Sequence, residues 1–471
     1  MTVAIGETDP AYTDVEAAKA AGHPDISAPP PFYSRSNWRT RTRSRSSHRW
    51  ASTPGRSRGR GLPAVLARIG LRQRADLGLR RWRQHLGENV SAVHRSPWVD
   101  DEVADLKHMA VKFFETEAVP NRERWERQKC VDRDFWLAAG RLGLLCASIP
   151  EEYGGGGGTL AHDFAILEAQ AECGDSGFGN QVHSGLVAHY LLAYGTDEQK
   201  RRWLPKMATG EYIGAIAMSE PGGGSDLKAL RTTAIRDGDH YRLNGSKTFI
   251  SNGASADLIV LVVKTDPSAG AKGVSLLVLE TAGAQGFRVG RVLDKLGMKA
   301  QDTAELFFDD VHVPAGNLLG EEGAGYGYAM KQLAHERLII AIIGVSTLET
   351  AVAETIAYTK QRHAFGAPLF SMQHTRFELA DCATIARVAR TFVDDCIVKH
   401  LRGELDAATA SMAKAWVTDM QCAVIDRCLQ LFGGYGYMLE YPITRMYADS
   451  RVQKIYAGAN EVMKELVARS L

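Results

Sequence analysis

The apolar residues of this chain change their period twice, and that change limits the folds open to it. In VDDEVADLKHMAVKFFETEAV (99–119), Val103, Leu106, Met109, Ala110, Phe113 and Phe114 recur at steps of three and four, the spacing of one helix face. Helical patterns continue to about residue 212, broken by five consecutive glycines at 154–158 that read as a flexible loop. The period then shortens. DLIVLVVK, VSLLVLE and AELFFDDVHVP are short runs of strand type. In HYRLNGSKTFISNG (240–253), Asn244-Gly245 falls between two such runs, which predicts a type I′ hairpin there. From about 323 long helical patterns resume and run to the end. Helices, a compact β-region and helices again make an α+β chain of segregated layers. Its divisions are an extension 1–97, a helical part 98–212, a β-part 213–322 and a helical part 323–471. No repeat of 20–50 residues occurs.

The net charge of +1 conceals an uneven distribution. Residues 1–95 hold 17 Lys+Arg against 7 Asp+Glu, and nine arginines with no acid lie between Arg35 and Arg60. Such a segment cannot bury enough apolar surface to offset its ordering entropy. Residues 1–97 are therefore expected to be disordered, with a short basic helix near 63–86. The Arg and Ser content suggests a targeting, nucleic-acid or membrane-surface arm, but five acids in the first 25 residues oppose a transit peptide. A solvated tail or an upstream-assigned start codon is the favoured reading, and no nucleic-acid partner is predicted. The longest apolar run, about eight residues in LIIAIIGV (338–345), is too short for a bilayer, so no membrane span is expected. Seven cysteines without CxxC or zinc spacing read as reduced thiols, with no metal site. Neither GxGxxG nor GxxxxGK[ST] is present.

Two segments carry chemistry. In IGAIAMSEPGGGSDL (213–227) an apolar strand runs into a Pro-Gly-Gly-Gly turn flanked by Ser219 and Ser225. Glycines let backbone N–H groups approach a ligand closely, and the hydroxyls add donors. In KTFISNG (247–253), Phe249 stands two residues before Ser251, an aromatic beside a hydroxyl that could stack on and bond a flat heterocycle. A tight turn and a half-buried strand would use the same residues.

Together with LGMKAQDTAELFFDDVHVPAGNLLGEEGAGY (296–326), RHAFGAPLFSMQ (362–373), QLFGGYGY (430–437) and IYAGANEVMKELVARSL (455–471), these segments closely resemble the acyl-CoA dehydrogenase family over 98–471. The resemblance implies an N-terminal helical domain, a central small β-barrel and a C-terminal four-helix bundle. It implies FAD, with Met218, Ser219, Gly224, Ser225, Phe249 and Ser251 at the flavin. Arg362, Phe365, Gln373, Gln430, Gly433 and Gly434 would hold the adenosine-diphosphate half bound by a neighbouring subunit, with Ala459 and Glu461 also at FAD. A homodimer or homotetramer follows, with electrons passing to an electron-transfer flavoprotein. Two positions depart from the pattern: Ala459 stands where a threonine is usual, and Phe249 where many relatives have tryptophan.

A third departure concerns the base. Proton removal beside a thioester needs a carboxylate within hydrogen-bond reach, and KIYAGANEVMKE (454–465) has Ala457 where many relatives read Tyr-Glu-Gly. The Ala457 backbone N–H can still hold the thioester oxygen. Glu336, in KQLAHERLIIAIIGV, precedes an apolar stretch that would desolvate it and raise its pKa. Locally it also reads as half of a solvated Glu–Arg pair. The resemblance decides for the base, because long-chain and isovaleryl-type members carry glutamate at this "ER" helix start. Arg337, Ser225 and Gly458 would then lie near the acyl-CoA. The expected reaction is α,β-dehydrogenation of acyl-CoA, long-chain or branched, in the cytoplasm or, for a eukaryote, the mitochondrial matrix. A catalytically silent flavin or acyl-CoA binding module and a flavin oxidase or monooxygenase stay open as alternatives.

Overall fold

A computed structural model describes residues 95–226 and 230–471; the basic helix expected near 63–86 lies outside them. Helix α1 (Asp101–Phe113) starts where the Asp100 carboxylate accepts from Val103 N, an N-cap that pairs one of the four free amides of the first turn. It buries Val103, Ala110 and Phe113 of the predicted face, with Leu106 half-buried, whereas Met109 is exposed at the edge of that face. Helices α2 (Arg122–Gln128) and α3 (Arg133–Arg141) follow, then α4 (Leu160–Glu172) and α5, which runs as Asn180–Val182, a π-helical turn His183–Val187 and Ala188–Tyr194. Helix α6 (Asp197–Ala208) completes this layer.

The glycines at 154–158 do not form a flexible loop. Gly156, Gly157 and Gly158 donate their backbone N–H groups to Cys146, Ile149 and Ala147. A Cβ on Gly155 would stand 2.2 Å from the Ile149 carbonyl oxygen, so the segment needs glycine for close packing rather than for freedom.

The β-region holds eight strands: β1 (Gly214–Ala217), β2 (Thr233–Asp237), β3 (His240–Ser251), β4 (Leu258–Lys264), β5 (Val274–Glu280), β6 (Phe287–Val292), β7 (Thr303–Pro314) and β8 (Leu318–Leu319). They pair in the order β6-β7-β3-β2-β4-β5-β8, with β1 parallel to β4. The sequence expectation of a hairpin at Asn244-Gly245 is wrong. The two-residue loop is Gly238-Asp239, which closes Asp237 onto His240, and Gly238 supplies the positive φ of +62°. β3 continues through Asn244-Gly245, which form a bulge against β7: Asn244 Oδ1 accepts from Asp310 N at 2.9 Å, and Gly245 packs on Thr232.

The last third begins with α7 (Gly325–Gln361), 37 residues and roughly 55 Å long. Leu338, Ile339, Ile340, Ala341 and Ile342 are all buried, so the helix is enclosed on every side. It is long and apolar enough to cross a membrane, with mean hydropathy 1.7 over its best window, which the short uninterrupted run in the sequence did not suggest. Two-thirds of that window is buried against neighbouring elements (67%), as in a core helix. Around it pack α8 (Gln373–Leu401) and α9 (Ala407–Phe432), followed by α10 (Pro442–Ser450) and α11 (Asn460–Ala468). A two-stranded hairpin, β9 (His363–Ala364) and β10 (Ala367–Pro368), links α7 to α8. Arg390 ties α4 to this bundle through a buried ion pair with Glu168 and a second pair with the more exposed Glu349. All seven cysteines are free thiols.

Candidate active site

Glu336 is 6% exposed, so the solvated Glu–Arg pair is excluded. It does not start its helix; eleven residues of α7 precede it, because the helical hydrogen bonds begin at Gly325. Oε1 accepts a hydrogen bond of 2.8 Å from the Tyr190 hydroxyl on α5. Burial pushes the carboxyl up to about 6, partly countered by that hydrogen bond and by the Arg337 charge. Arg337 turns the other way, donating to Ser411 Oγ at 3.1 Å on α9. Its Nε has no hydrogen-bond partner among the described residues, and burial lowers the guanidinium pKa.

Ala457 lies in a turn between α10 and α11, with φ +50°, followed by Gly458 at φ +90°. Tyr456 and Ala457 pack against the same core as Leu338 and Ile339 of α7. The turn is held by Lys414 of α9, a fully buried lysine whose Nζ donates to Gly458 O at 2.6 Å and Asn460 Oδ1 at 2.9 Å. Asn460 in turn donates to Thr418 and Asp419. Arg337 and Lys414 repel each other, which lowers the lysine pKa further after burial has done most of it. The Glu336–Arg337 pair and the Ala457–Gly458 turn thus share one neighbour on α9. Ala459 is the N-cap of α11 and makes no side-chain cap bond; Glu461 is exposed in its first turn.

Strand β1 meets α5 directly. His183 Nδ1 accepts from Gly214 N at 2.9 Å, and Asn252 Nδ2 donates to both Gly179 O and Gly214 O. Met218 and Ser219, half-buried at the end of β1, are fixed by buried Lys247, whose Nζ donates to Met218 O, Glu220 and Val262 O. Thr248 N donates to Ser219 O, so β3 delivers the next residue, Phe249, beside them. Phe249 sits at φ +60° in a bulge and is 68% exposed, with Ser251 half-buried two residues on. Gly224 and Ser225 are exposed, and a Cβ on Gly224 would meet nothing within 4 Å. An aromatic turned outward at the cost of a strained backbone, next to open glycines and hydroxyls, is a ledge that fits a flat ring.

The remaining group lies far from Glu336. Arg362, Phe365, Gln373, Gln430, Gly433 and Gly434 are all exposed. The Arg362 guanidinium lies 5.4 Å from the Tyr435 ring centre, which joins the end of α7 to the 433–437 turn. Phe365, at the tip of the β9–β10 hairpin, is 97% exposed. No acid pairs with Arg362 among the described residues, and Cβ atoms on Gly433 and Gly434 would meet nothing. This donor set suits a pyrophosphate. Along α7, Arg362 is 26 residues from Glu336, about 39 Å. Among the described residues no cluster of His, Cys, Asp or Glu is placed to hold a metal. Tyr190, Lys247 and Lys414 are the residues that sequence reasoning missed. Lysine within SMAKAWVTDM, flanked by small and apolar residues, was the one available hint.

A buried carboxyl raised to about 6, a backbone amide in a turn packed on the same core and an aromatic ledge are the parts that a flavoenzyme removing hydrogen beside a carbonyl would need. The comparisons with known proteins agree. Family models for the acyl-CoA dehydrogenase N-terminal, middle and C-terminal domains match residues 100–211, 215–311 and 323–471. The long-chain specific acyl-CoA dehydrogenase of Rattus norvegicus mitochondria is 48% identical over 362 residues, 76% of this chain and 84% of that protein. A crystal structure of acyl-CoA dehydrogenase from Geobacillus kaustophilus superposes with TM-score 0.78 at 47% identity, covering 80% of this chain and 99% of the other. One from Bacillus anthracis complexed with FAD gives TM-score 0.74 at 30% identity, covering 79% and 67%. The chain belongs to the acyl-CoA dehydrogenase family, and it is an FAD-dependent enzyme that dehydrogenates acyl-CoA thioesters. A model of a FAS1-like dehydratase domain region also matches residues 2–51, which lie outside the described residues.

Proposed function

We propose that this enzyme dehydrogenates long-chain acyl-CoA with Glu336 as its catalytic base. The observation that carries the reading is the pairing of a buried, elevated carboxylate at 336 with alanine at 457. Glu336 takes the proton from the carbon next to the thioester; a base with a pKa near 6 is ionised at neutral pH and retains useful proton affinity. The Ala457 N–H polarises the thioester oxygen, and the Lys414–Asn460 clasp keeps that amide aimed. Arg337 and Gly458 flank the CoA-bearing end. FAD, held at Met218, Ser219, Gly224, Ser225, Phe249 and Ser251, supplies the acceptor for the hydride of the β-carbon.

Chain length follows from α7. A cavity of ≈ 260 Å³ is lined by Gln181, Ile343, Thr347, Glu354 and Tyr456 among others. Ile343, Thr347 and Glu354 come 7, 11 and 18 residues after Glu336, so they share its helix face within about 20° and lie roughly 10–27 Å beyond it. The cavity is also lined by Glu115, Arg122, Asp175, Arg445 and Asp449; an acyl chain that reached these positions from Glu336 would have to be a long one. The distance between Glu336 and Arg362 has a second consequence. One FAD cannot span it, so Arg362, Phe365, Gln373, Gln430, Gly433 and Gly434 serve the cofactor of a second copy, and the enzyme works as a homodimer or homotetramer; Ala459 and Glu461, which follow the Ala457–Gly458 turn, serve the FAD of their own copy. Electrons leave to an electron-transfer flavoprotein, in the cytoplasm or, in a eukaryote, the mitochondrial matrix.

Mixing the purified enzyme without oxygen with acyl-CoA of graded chain length tests the reading. Flavin absorbance should bleach most readily with long chains. Bleaching confined to short chains would refute the chain-length assignment, and none at all would refute the reaction.

A further inference from the structure

We propose that Tyr190 is the positioning residue for the base, aiming the Glu336 carboxylate and holding it ionised through a hydrogen bond that only a phenol at this point of α5 can supply. The inference rests on the reading of Glu336 given above. Tyr190 is 1% exposed, and among the described residues its hydroxyl bonds to Glu336 Oε1 alone, at 2.8 Å. A hydroxyl facing an ionised carboxylate must donate, so the phenol engages one lone pair of Oε1 and leaves the other lone pairs of the carboxylate to receive a proton.

The geometry of the two helices supports a built arrangement. The residue before the base, His335, also reaches α5: its Nε2 lies 2.8 Å from Gly185 O. A carbonyl can only accept, so the His335 proton is on Nε2, and Nδ1 accepts from His400 Nε2–H at 2.9 Å. Burial, with His189 and His400 alongside, keeps His335 neutral. Consecutive residues of α7 are thus pinned to two points of α5, at Gly185 and Tyr190. Between them α5 passes through the end of its π-helical turn, His183–Val187. Such a turn carries one extra residue, so regularising it would rotate Tyr190 about 100° around the helix axis and carry the phenol away from Glu336.

The charged and titratable groups that bear on Glu336 are few: Tyr190 from α5 and Arg337 from its own helix. Lys414 of α9 faces Arg337 and the Gly458 carbonyl, and His335, which also reaches α5, has both ring nitrogens engaged by Gly185 O and His400. Among the described residues, Tyr190 is therefore the one group that donates to the carboxylate.

The test is Tyr190→Phe in the FAD-loaded enzyme, which keeps the ring and removes the donor. The carboxyl of Glu336, followed by infrared difference titration with Glu336→Gln as the blank, should protonate at a pH at least one unit higher than in the wild type. The acid limb of kcat should move with it, giving a loss of at least about five-fold near pH 6 that approaches ten-fold at lower pH and vanishes on the alkaline side. His335→Gln retains an amide donor for Gly185 and should leave both titrations in place, showing that the effect belongs to the phenol. If the infrared titration of Tyr190→Phe does not move, or His335→Gln moves it as far, the assignment to Tyr190 is overturned. If the infrared titration moves and the rate profile does not, Glu336 is not the group that limits the reaction, and the reading of the base fails instead.

Discussion

Replacing Glu336 with glutamine should stabilise the protein at neutral pH while disabling it, and the size of that gain can be worked out from the burial of one carboxyl. Folding raises the carboxyl from 4.5 to about 6, with burial as the largest cause. A carboxyl with a higher pKa in the folded state binds its proton more tightly there. Its contribution to stability is therefore complete below pH 4.5 and is lost as pH rises through about 6. At about 1.36 kcal/mol per pKa unit the loss is about 2 kcal/mol. Glutamine has the same shape, can accept from Tyr190 and never ionises. Its extra amide N–H finds no partner, at a cost of about 1 kcal/mol that is the same at every pH. Comparing wild type and Glu336→Gln by calorimetry at about pH 4.5 and 8 cancels that constant. The variant should gain about 1.5 kcal/mol on the wild type between the two conditions, roughly a 2 °C relative rise in Tm for a folded region of this size. A gap between the two proteins that stays constant with pH would refute the claim that residue 336 titrates while buried.

Other consequences concern the parts that hold the site. Ala459→Thr supplies the missing cap of α11 and should raise stability by about 1 kcal/mol, read as a higher Tm with FAD content unchanged. Lys414→Met strips Gly458 O and Asn460 Oδ1 of their donor; stability should fall by about 3 kcal/mol, and KM for acyl-CoA should rise as the Ala457 turn loosens. Gly155→Ala forces a Cβ into the Ile149 carbonyl and should cost about 2 kcal/mol or more in denaturant unfolding; a neutral result would restore the flexible-loop reading.

The long-range order of elements was legible because periodicity reports which face is buried. The three-and-four spacing of 103–114 gave α1, and the runs at 258–264 and 274–280 gave the paired central strands β4 and β5. Local signals failed where two competed. Asn244-Gly245 and Gly238-Asp239 both satisfy turn chemistry, and pairing with β7 along the whole of β3 decided for the second. The five glycines failed for a related reason, since composition records conformational freedom but not a carbonyl waiting 2.2 Å away. At the site, Glu336 could be singled out because its neighbours are apolar. Tyr190, 146 positions earlier, could not: a tyrosine in AHYLLAY is indistinguishable from core until the helix carrying it is set against α7. Lys247 and Lys414 were hidden in the same way, since lysine in sequence implies solvent and only the fold shows the carbonyls that receive it.

The placement of the base at 336 is tested most directly by stopped-flow reduction of the Glu336→Gln enzyme, loaded with FAD and mixed anaerobically with long-chain acyl-CoA. Flavin bleaching in a single turnover should slow by about 10²–10⁴-fold, with FAD and acyl-CoA affinity retained. Bleaching at the wild-type rate would contradict the account, because the proton would then be leaving to some other group.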